Sequence, residues 1–558
     1  MQKVLTAEEM REVDRLTTEK YGIPSILLME NAAHAAARII TEKLGGSVKG
    51  KKFLILCGKG NNGGDGAALA RILALQGADI NVVLLGKIEE LKSDALINFE
   101  IVKNITIANL QENRQTVGTW YGVNSCGTIS LNYCLGPNEW IEDELLNKIF
   151  SQADVIVDSI LGTGVTRKLE GIYLQVAQAI KWKKGDRLTN LKPLIVSLDL
   201  PSGLNADLGI PIGINVESDL TVTFTSPKTA NVVAPASSFG GELAIVDIGS
   251  PMELIDNSPS QLYLAAKQDA ENWINRTRFT TDSYKNRRGH ALLIAGSRRF
   301  TGAAVLCADA CLRTGVGLVT LATPKSVQGA ISARVLPEVM TVCVSETEKG
   351  AIAETAWAEL KDLVQKSHVV AIGSGLSSED ETTRKFVREA VEHRKTPVLL
   401  DADGLNALSP FDLQGSERFP LILTPHKGEM RRLLGLKDQD DLGDSVALVR
   451  EFAQKHQVIL VLKGERALIA EPGGKVVINP TGNSGLGKGG NGDTLAGIIT
   501  GFLTQAVSLK ADIFETVVAA VYIAGLAGDL AAEKFGKRAM SASDVRECLV
   551  ESFRQLEQ

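Results

Sequence analysis

Apolar residues in this chain gather in short unbroken runs, separated by longer stretches spaced for helices. In the first half the runs are Phe53–Cys57 (FLILC), Asn81–Leu85, Val155–Asp158 (VIVD), Leu194–Asp199 (LIVSLD) and Leu220–Thr225. In the second half they are His290–Ala295, Leu318–Ala322, Val369–Ile372, Val398–Leu400, Leu421–Leu423 and Val458–Leu462. Runs without polar alternation predict strands buried on both faces, which is the habit of parallel sheets. Between them the spacing turns helical. Thr6 and Glu9 form a capping box ahead of Met10, Val13 and Leu16, so the chain opens with a helix. Leu27–Ile40, Ala67–Gln76 and Ala303–Arg313 are further helices, with His34 read as a helix-face residue. Strand and helix alternate twice over, which predicts two parallel α/β sheets. Pro472-Gly473-Gly474 predicts a hairpin. Ser250–Gln268 carries prolines and no sheet pattern, so the inter-domain connection is expected at residues 251–270, between domains 1–250 and 271–558. Asn104–Trp140 is less regular and reads as an insertion or an elaborated strand pair.

Composition narrows this picture. A chain of 558 residues is too long for one core. The net charge is −6 and no basic block stands out, which excludes nucleic acid as the expected partner. Seven cysteines are scattered without a CxxC pair, as in a reducing cytosol. Cys307 and Cys311, four apart on a helix, read as packing. The first residues are acidic and lack an apolar core, so no signal peptide is expected. The most apolar helix, Val517–Gly528, falls short of the ~20 residues that span a bilayer. A cytoplasmic protein without a membrane partner is therefore expected.

The chemistry gathers after the strands. Gly58–Gly66 (GKGNNGGDG) follows a strand and precedes a helix, where α/β folds bind phosphate-bearing ligands. VIVD runs into SILGTGVTRK, and LIVSLD into LPSG. In a parallel sheet these strand ends share one edge, so the three loops converge. Asn62, Asp158 and Ser202 would offer hard oxygens to a cation. Asp199 is an acid/base candidate, expected on the regular strand. Lys228 in TSPKTA could bind phosphate or tune that acid. In the second half the loops are GSRRFTG, GSGL, DADGLNAL, TPHKGEM and KGERA. The series closes on Thr481–Phe502, TGNSGLGKGGNGDTLAGIITGF. Its glycines let backbone N–H groups converge, and a helix starting near Asn491 adds unpaired N–H groups and a positive dipole end. That arrangement suits a phosphate or a developing anion. Asp493, a carboxylate at such a site, is better explained by proton transfer than by affinity. Gly482–Lys488 spells the first seven positions of a P-loop. The eighth is Gly489 where Ser or Thr is needed, and the P-loop reading is rejected.

NNGGDG, VDSILGTG and SLDLPSG, in that order, resemble the NAD(P)H-hydrate epimerase domain. The resemblance implies a Rossmann-like α/β/α sandwich over residues 1–250. Its hydrate contacts would be Asn61, Asn62, Gly63, Gly64 and Asp65, then Gly162, Thr163, Gly164, Val165, Thr166, Arg167 and Lys168, with Asp199 as the catalytic residue. It also implies a potassium ion on Asn62, Asp158 and Ser202. GSRRFTGAAVL, LLDADGLNAL, LTPHKGEM, VLKG and GGNGDTLAGII resemble the ADP/ATP-dependent NAD(P)H-hydrate dehydratases, of ribokinase-like α/β fold, over residues 271–558. This implies hydrate contacts at Ala303, Gly375, His426 and Asp493. Nucleotide contacts would be Lys463, Gly464, Glu465, Arg466, Ala467 and Gly492, with Mg²⁺ accompanying ADP or ATP. Tyr284, Lys488 and Asn491 depart from the family pattern. Asn491 is expected to preserve the anion hole, and Lys488 could alter nucleotide phosphate binding. Both halves in one chain match a bifunctional repair enzyme for hydrated NADH and NADPH, with a homo-oligomer expected. Two rivals remain at this point: a small-molecule kinase joined to a ligand-binding domain, and a non-catalytic dinucleotide sensor.

Overall fold

A computed structural model describes residues 1–112, 127–185 and 192–557. The chain divides into two compact units, Lys3–Ser260 and Met1–Gln2 with Gln261–Gln558. Both are α/β.

The first unit opens with helix α1 (Ala7–Tyr21), started by the Thr6/Glu9 capping box, and continues into α2 (Ser25–Lys43). Its sheet has strands β1 (Lys52–Cys57), β2 (Asp79–Leu84), β3 (Ile129–Tyr133), β4 (Val155–Ser159), β5 (Leu194–Leu198), β6 (Leu220–Phe224) and β7 (Glu242–Val246). All pairs are parallel, in the order β3-β2-β1-β4-β5-β6-β7. The order reverses between β1 and β4, and ligands bind beyond the strand ends at such a switch point. The apolar runs are buried on both faces: Phe53, Ile55 and Val157 join one core, Leu54, Leu56 and Ile156 the other.

The glycine-rich run after β1 is not the loop expected from sequence. Helix α3 spans Asn61–Leu75, so NNGGDG forms its first turns. Tertiary packing overrides the poor helix propensity of glycine here. A Cβ at Gly63 would lie 1.9 Å from Gly58 O, and one at Gly66 2.4 Å from Ser159 Oγ. These glycines let the helix start directly against the strand ends. The segment 104–140 is described in part. Residues 113–126 lie outside the described residues, but helix Ser93–Glu112 precedes them and β3 follows, forming the sheet edge.

The second unit has β8 (Leu262–Leu264), β9 (His290–Ile294), β10 (Leu318–Pro324), β11 (Met340–Val344), β12 (Val369–Ile372), β13 (Val398–Leu400), β14 (Leu421–Leu423), β15 (Ile459–Leu462), β16 (Leu468–Ala470) and β17 (Val476–Ile478). They lie in the order β8-β17-β16-β15-β14-β13-β12-β9-β10-β11. β9 to β15 pair in parallel, and β15-β16-β17 form an antiparallel meander around the predicted hairpin. The order reverses at β9 and β12, a second switch point. β8 falls inside the segment read as a connection, residues 251–270. It pairs in parallel with β17, and the two leucines of its LYL run are buried.

Helices α4 (Thr301–Leu312), α5 (Lys427–Leu433), α6 (Asn491–Leu509), α7 (Ile513–Ala539) and α8 (Ala542–Leu556) complete the parts that matter below. α6 crosses α4 closely. A Cβ at Gly497 would sit 2.2 Å from Cys307 O, and one at Gly501 2.1 Å from Thr314 Oγ1. This contact sets the start of α6, and with it Asp493, over the strand ends. α7 is longer than the twelve-residue apolar stretch seen in sequence. Its 27 residues are long and apolar enough to cross a membrane, but 67% of the most apolar window is buried within the protein. It is a core helix, packed between α6 and α8.

Candidate active sites

In the first unit, β5 and β6 both end in a tight turn with a positive φ. Asp199 has φ 66° and Leu200 N donates to Leu198 O at 2.8 Å; Thr225 has φ 64° and Ser226 N donates to Phe224 O at 2.7 Å. Asp199 is therefore off the strand, contrary to the expectation that it continues β5. Such turns at non-glycine residues cost of order 1–3 kcal/mol and persist only where surrounding contacts hold them. Those contacts are present. Lys228 Nζ donates to Asp199 Oδ1 at 2.5 Å, and Thr223 Oγ1 donates to the same oxygen at 3.1 Å. Asn231 Nδ2 donates to Asp199 O at 3.1 Å. Lys228 is 2% exposed and spends its other donors on Thr223 Oγ1 and Phe224 O. Of the two partners open to Lys228, a phosphate or this acid, its donors reach the acid.

The loop after β4 meets this carboxylate. A Cβ at Gly162 would lie 3.3 Å from Asp199 Oδ2 and 3.5 Å from Asn62 Cβ. Thr163, Gly164, Thr166, Arg167 and Lys168 extend the loop, with Val165 buried as its anchor and its carbonyl bound by Asn205 Nδ2. On α3, Asn61 is exposed and Asp65 half-buried, whereas Gly63 and Gly64 face the protein. Two carboxylates join Asp199. Burial pushes Asp65 well above its ordinary range, with Asp199 and Asp14 adding and Lys228 opposing. Asp14, on α1, is open to solvent along one side but crowded by protein on the other. That crowding, opposed by Lys228 and reinforced by Asp199, raises its pKa to about 6. Sequence reasoning missed Asp14. Its only signal was its position seven residues after Ala7, hence on the same helix face, and Ala7 packs against Leu200 and Ala230 beside the site.

Asp158 is fully buried below these loops. It accepts from Ser197 Oγ and Ser202 N at 2.8 Å, Ser202 Oγ at 2.5 Å and Ile160 N at 3.3 Å. Burial raises its pKa against those four bonds, and among the described residues no cation pairs with it. Nearby, the buried Asn62 amide has neither Oδ1 nor Nδ2 bonded. An unpaired buried amide at the start of α3 and an uncompensated buried carboxylate at the end of β4 suit a cation.

In the second unit the site assembles around Lys463. Its Nζ donates to Asp401 Oδ1 at 2.7 Å and lies 3.7 Å from Glu429 Oε2. Burial works to lower the Lys463 pKa, but the two carboxylates outweigh it and the net shift is upward. A Cβ at Gly492 would lie 3.5 Å from this ammonium. Asp493 follows in the first turn of α6. Burial and then Asp401 raise it to about 6, opposed by a hydrogen bond from Ser374 and by Lys463. A carboxylate with a pKa of about 6 is largely ionised at neutral pH and basic enough to accept a proton.

The other expected contacts ring this centre. Gly375, at φ 67°, abuts the loop after β9: a Cβ there would be 2.7 Å from Phe300 Cβ and 2.9 Å from Ala303 Cβ. His426 caps α5, its Nδ1 accepting from Gly428 N at 3.0 Å and Glu429 N at 3.3 Å. Its ring is half exposed, with Nε2 3.5 Å from Glu429 Oε1, and burial lowers its pKa. An Nδ1 that accepts leaves the proton on Nε2. In the 463–467 turn, Gly464 and Glu465 are exposed, Arg466 Nη1 binds Pro480 O at 2.7 Å, and Ala467 is buried.

The comparisons with known proteins match both units of the chain. A family model described as NAD(P)H-hydrate dehydratase matches residues 291–551, and one described as YjeF-related protein N-terminus matches residues 25–230. A bifunctional NAD(P)H-hydrate repair enzyme of Moorella thermoacetica is 37% identical over 100% of this chain and 97% of its own length. The chain belongs to the bifunctional NAD(P)H-hydrate repair enzymes. A member of this family from Thermofilum pendens is 34% identical, over 99% of this chain and 97% of its own. Among solved structures, the ADP/ATP-dependent NAD(P)H-hydrate dehydratase of Bacillus subtilis, co-crystallized with ATP and Mg²⁺, is 30% identical, with TM-score 0.46 over 53% of this chain and 99% of that one.

Proposed function

We propose that this chain repairs hydrated NADH and NADPH at two separate sites. The first unit interconverts the two C6 epimers of the hydrate, and the second dehydrates one epimer with ADP or ATP. The observation that carries this is the pairing, in one chain matched along its whole length by repair enzymes, of the Asp199–Lys228 site with the Asp493 site beneath a glycine-lined helix start.

C6 of the hydrate bears a hydroxyl and the ring nitrogen. The nitrogen lone pair can expel the hydroxyl to give a planar iminium, which accepts water on either face. Asp199, held by Lys228 and Thr223, would move the proton in both directions. In the second unit Asp493 would take the C6 hydroxyl proton as that oxygen attacks the terminal phosphate of the nucleotide. The amides at the start of α6 receive the phosphoryl charge. Phosphate then leaves, and loss of a C5 proton restores the dihydropyridine. Magnesium neutralises charge on the nucleotide phosphates. Among the described residues no cluster of three or more His, Cys, Asp or Glu could cage it, so it is expected to ride on the phosphates, as Mg²⁺ commonly does. Lys463, held by Asp401, would fix the phosphate end of the nucleotide.

The deciding experiment mixes purified protein with both hydrate epimers and ADP or ATP and follows the dihydronicotinamide absorbance band. Repair restores that chromophore for all the hydrate supplied. A kinase would leave a phosphorylated product and no recovery, and a sensor would leave the mixture unchanged.

Potassium fits the first unit. Asn62 and Asp158 would hold it, with Ser202 positioning Asp158, and it would compensate the buried carboxylate. Asn62→Ala is then the informative variant, because the amide has no protein hydrogen bond to lose. Wild-type protein should melt at higher temperature in potassium than in sodium at equal ionic strength, and Asn62→Ala should lose that difference. Equal melting temperatures for the wild type in both salts would remove the cation. Free buried thiols at Cys57, Cys134, Cys307, Cys311 and Cys548 support a reducing compartment such as the cytoplasm.

A further inference from the structure

An anion hole lowers a barrier only if its amides are aimed before charge develops. The stretch Gly487–Gly492 contains four glycines, which makes it a poor element to hold itself in place. Three sets of bonds hold it. Upstream, Gly482 N and Asn483 Nδ2 both donate to the Asp529 carboxylate on α7 at 2.9 Å. Within the loop, Asn491 Nδ2 donates to Leu486 O at 3.0 Å and Lys488 O at 3.4 Å. The third set is Lys488. Its Nζ donates to Lys537 O, Arg538 O and Met540 O, each at 2.8 Å.

Those carbonyls lie where α7 ends. Gly536 leaves the helical conformation, at φ 74° and ψ 147°, and α8 does not begin until Ala542. Carbonyls at a helix end have no next turn to bond, and they carry the negative end of the dipole, so a cation there is favoured. An ammonium has three N–H donors. Here all three are committed, and none is left for a phosphate. The loop also touches this helix end. A Cβ at Gly485 would lie 3.1 Å from Lys537 Cα, and one at Gly490 3.1 Å from Ala542 Cβ.

We propose that Lys488 is a positioning residue for dehydration: it fastens the anion loop to the C-terminal end of α7 and acts on the nucleotide through the Gly489–Gly492 amides, not by contact. The proposal rests on the dehydratase reading above. It replaces the expectation that Lys488 alters phosphate binding directly.

Lys488→Met keeps the apolar stem and removes the donors. Nucleotide-dependent recovery of the dihydronicotinamide band is measured for wild type, Lys488→Met and Lys488→Arg, with ADP and with ATP. In Lys488→Met, kcat should fall about tenfold with both nucleotides while each KM stays within about threefold, the pattern of an interaction realised in the transition state. Lys488→Arg, which still carries donors to the helix end, should recover most of that loss. Epimerisation by the same samples should not change. A kcat for Lys488→Met within about twofold of wild type, or a raised nucleotide KM at unchanged kcat, overturns the proposal. Wild-type protein that restores no chromophore refutes the dehydratase reading itself, before any variant is compared.

Discussion

Asp493→Asn is expected to lower nucleotide-dependent dehydration by roughly 10²–10⁴, the usual contribution of a positioned base, and to leave hydrate epimerisation at its wild-type rate. The substitution keeps size and polarity but removes the proton acceptor. The other acid/base candidate, Asp199, belongs to a different unit of the chain, so one sample reports both activities. Loss of both in a folded variant would refute the two-site reading. The pKa of about 6 adds a pH dependence. A base must be ionised, so kcat/KM for dehydration should fall as pH drops through about 6, and the Asn variant's residual rate should be flat there. Stability should move the other way. A carboxyl whose folded pKa is raised favours the native state below its unfolded pKa. That advantage is lost as pH rises through the folded value. At neutral pH the ionised Asp493 therefore destabilises its domain, by about 1–2 kcal/mol after allowing for its partial solvent contact. Thermal melts of Asp493→Asn should show a more stable protein at pH 8 and little difference at pH 4. A variant less stable than wild type at pH 8 would mean that Asp493 is held mainly by favourable contacts.

The strands were legible because parallel sheets bury both faces. FLILC, VIVD and LIVSLD have no other way to hide their side chains, and each is a strand within one residue or so of the expected limits. The convergence of loops followed from the same fact. Three features were hidden. Helix α3 starts at Asn61 because its glycines meet Gly58 and Ser159 across the switch point, a tertiary contact that local propensity opposes. Asp199 turns out of its strand because Lys228 and Asn231, far along the chain, hold it there. Lys488 lay in the glycine run and read as a phosphate neighbour; only the folded position of the α7 end takes its three donors elsewhere. In each case the deciding partner lies outside the local sequence window, which is where pattern reading loses its grip.

Asp199→Asn is expected to reduce epimerisation by roughly 10²–10⁴ at saturating hydrate, with dehydration of the reactive epimer unchanged. The fold makes this variant less innocent than its shape suggests. Lys228 is 2% exposed and Asp199 Oδ1 is the only carboxylate oxygen it pairs with among the described residues. With Asn at 199 the ammonium is left buried beside a neutral amide, and breaking one side of a buried pair costs about 3–5 kcal/mol. A lower rate could then report a loosened site and not a missing base. The double variant Asp199→Asn/Lys228→Met separates the two. It removes both charges, so the melting temperature should return towards that of wild type. If Asp199 carries the proton, epimerisation stays low in the double variant while hydrate affinity, measured on the same sample, is largely kept. If the pair only braces the turn at φ 66°, restoring stability should restore turnover as well. A double variant with a near-wild-type melting temperature and a rate within a few-fold of wild type would remove Asp199 from the proton transfer, and would turn attention to Asp14 and Asp65, the two other carboxyls in that crevice whose surroundings favour the protonated form.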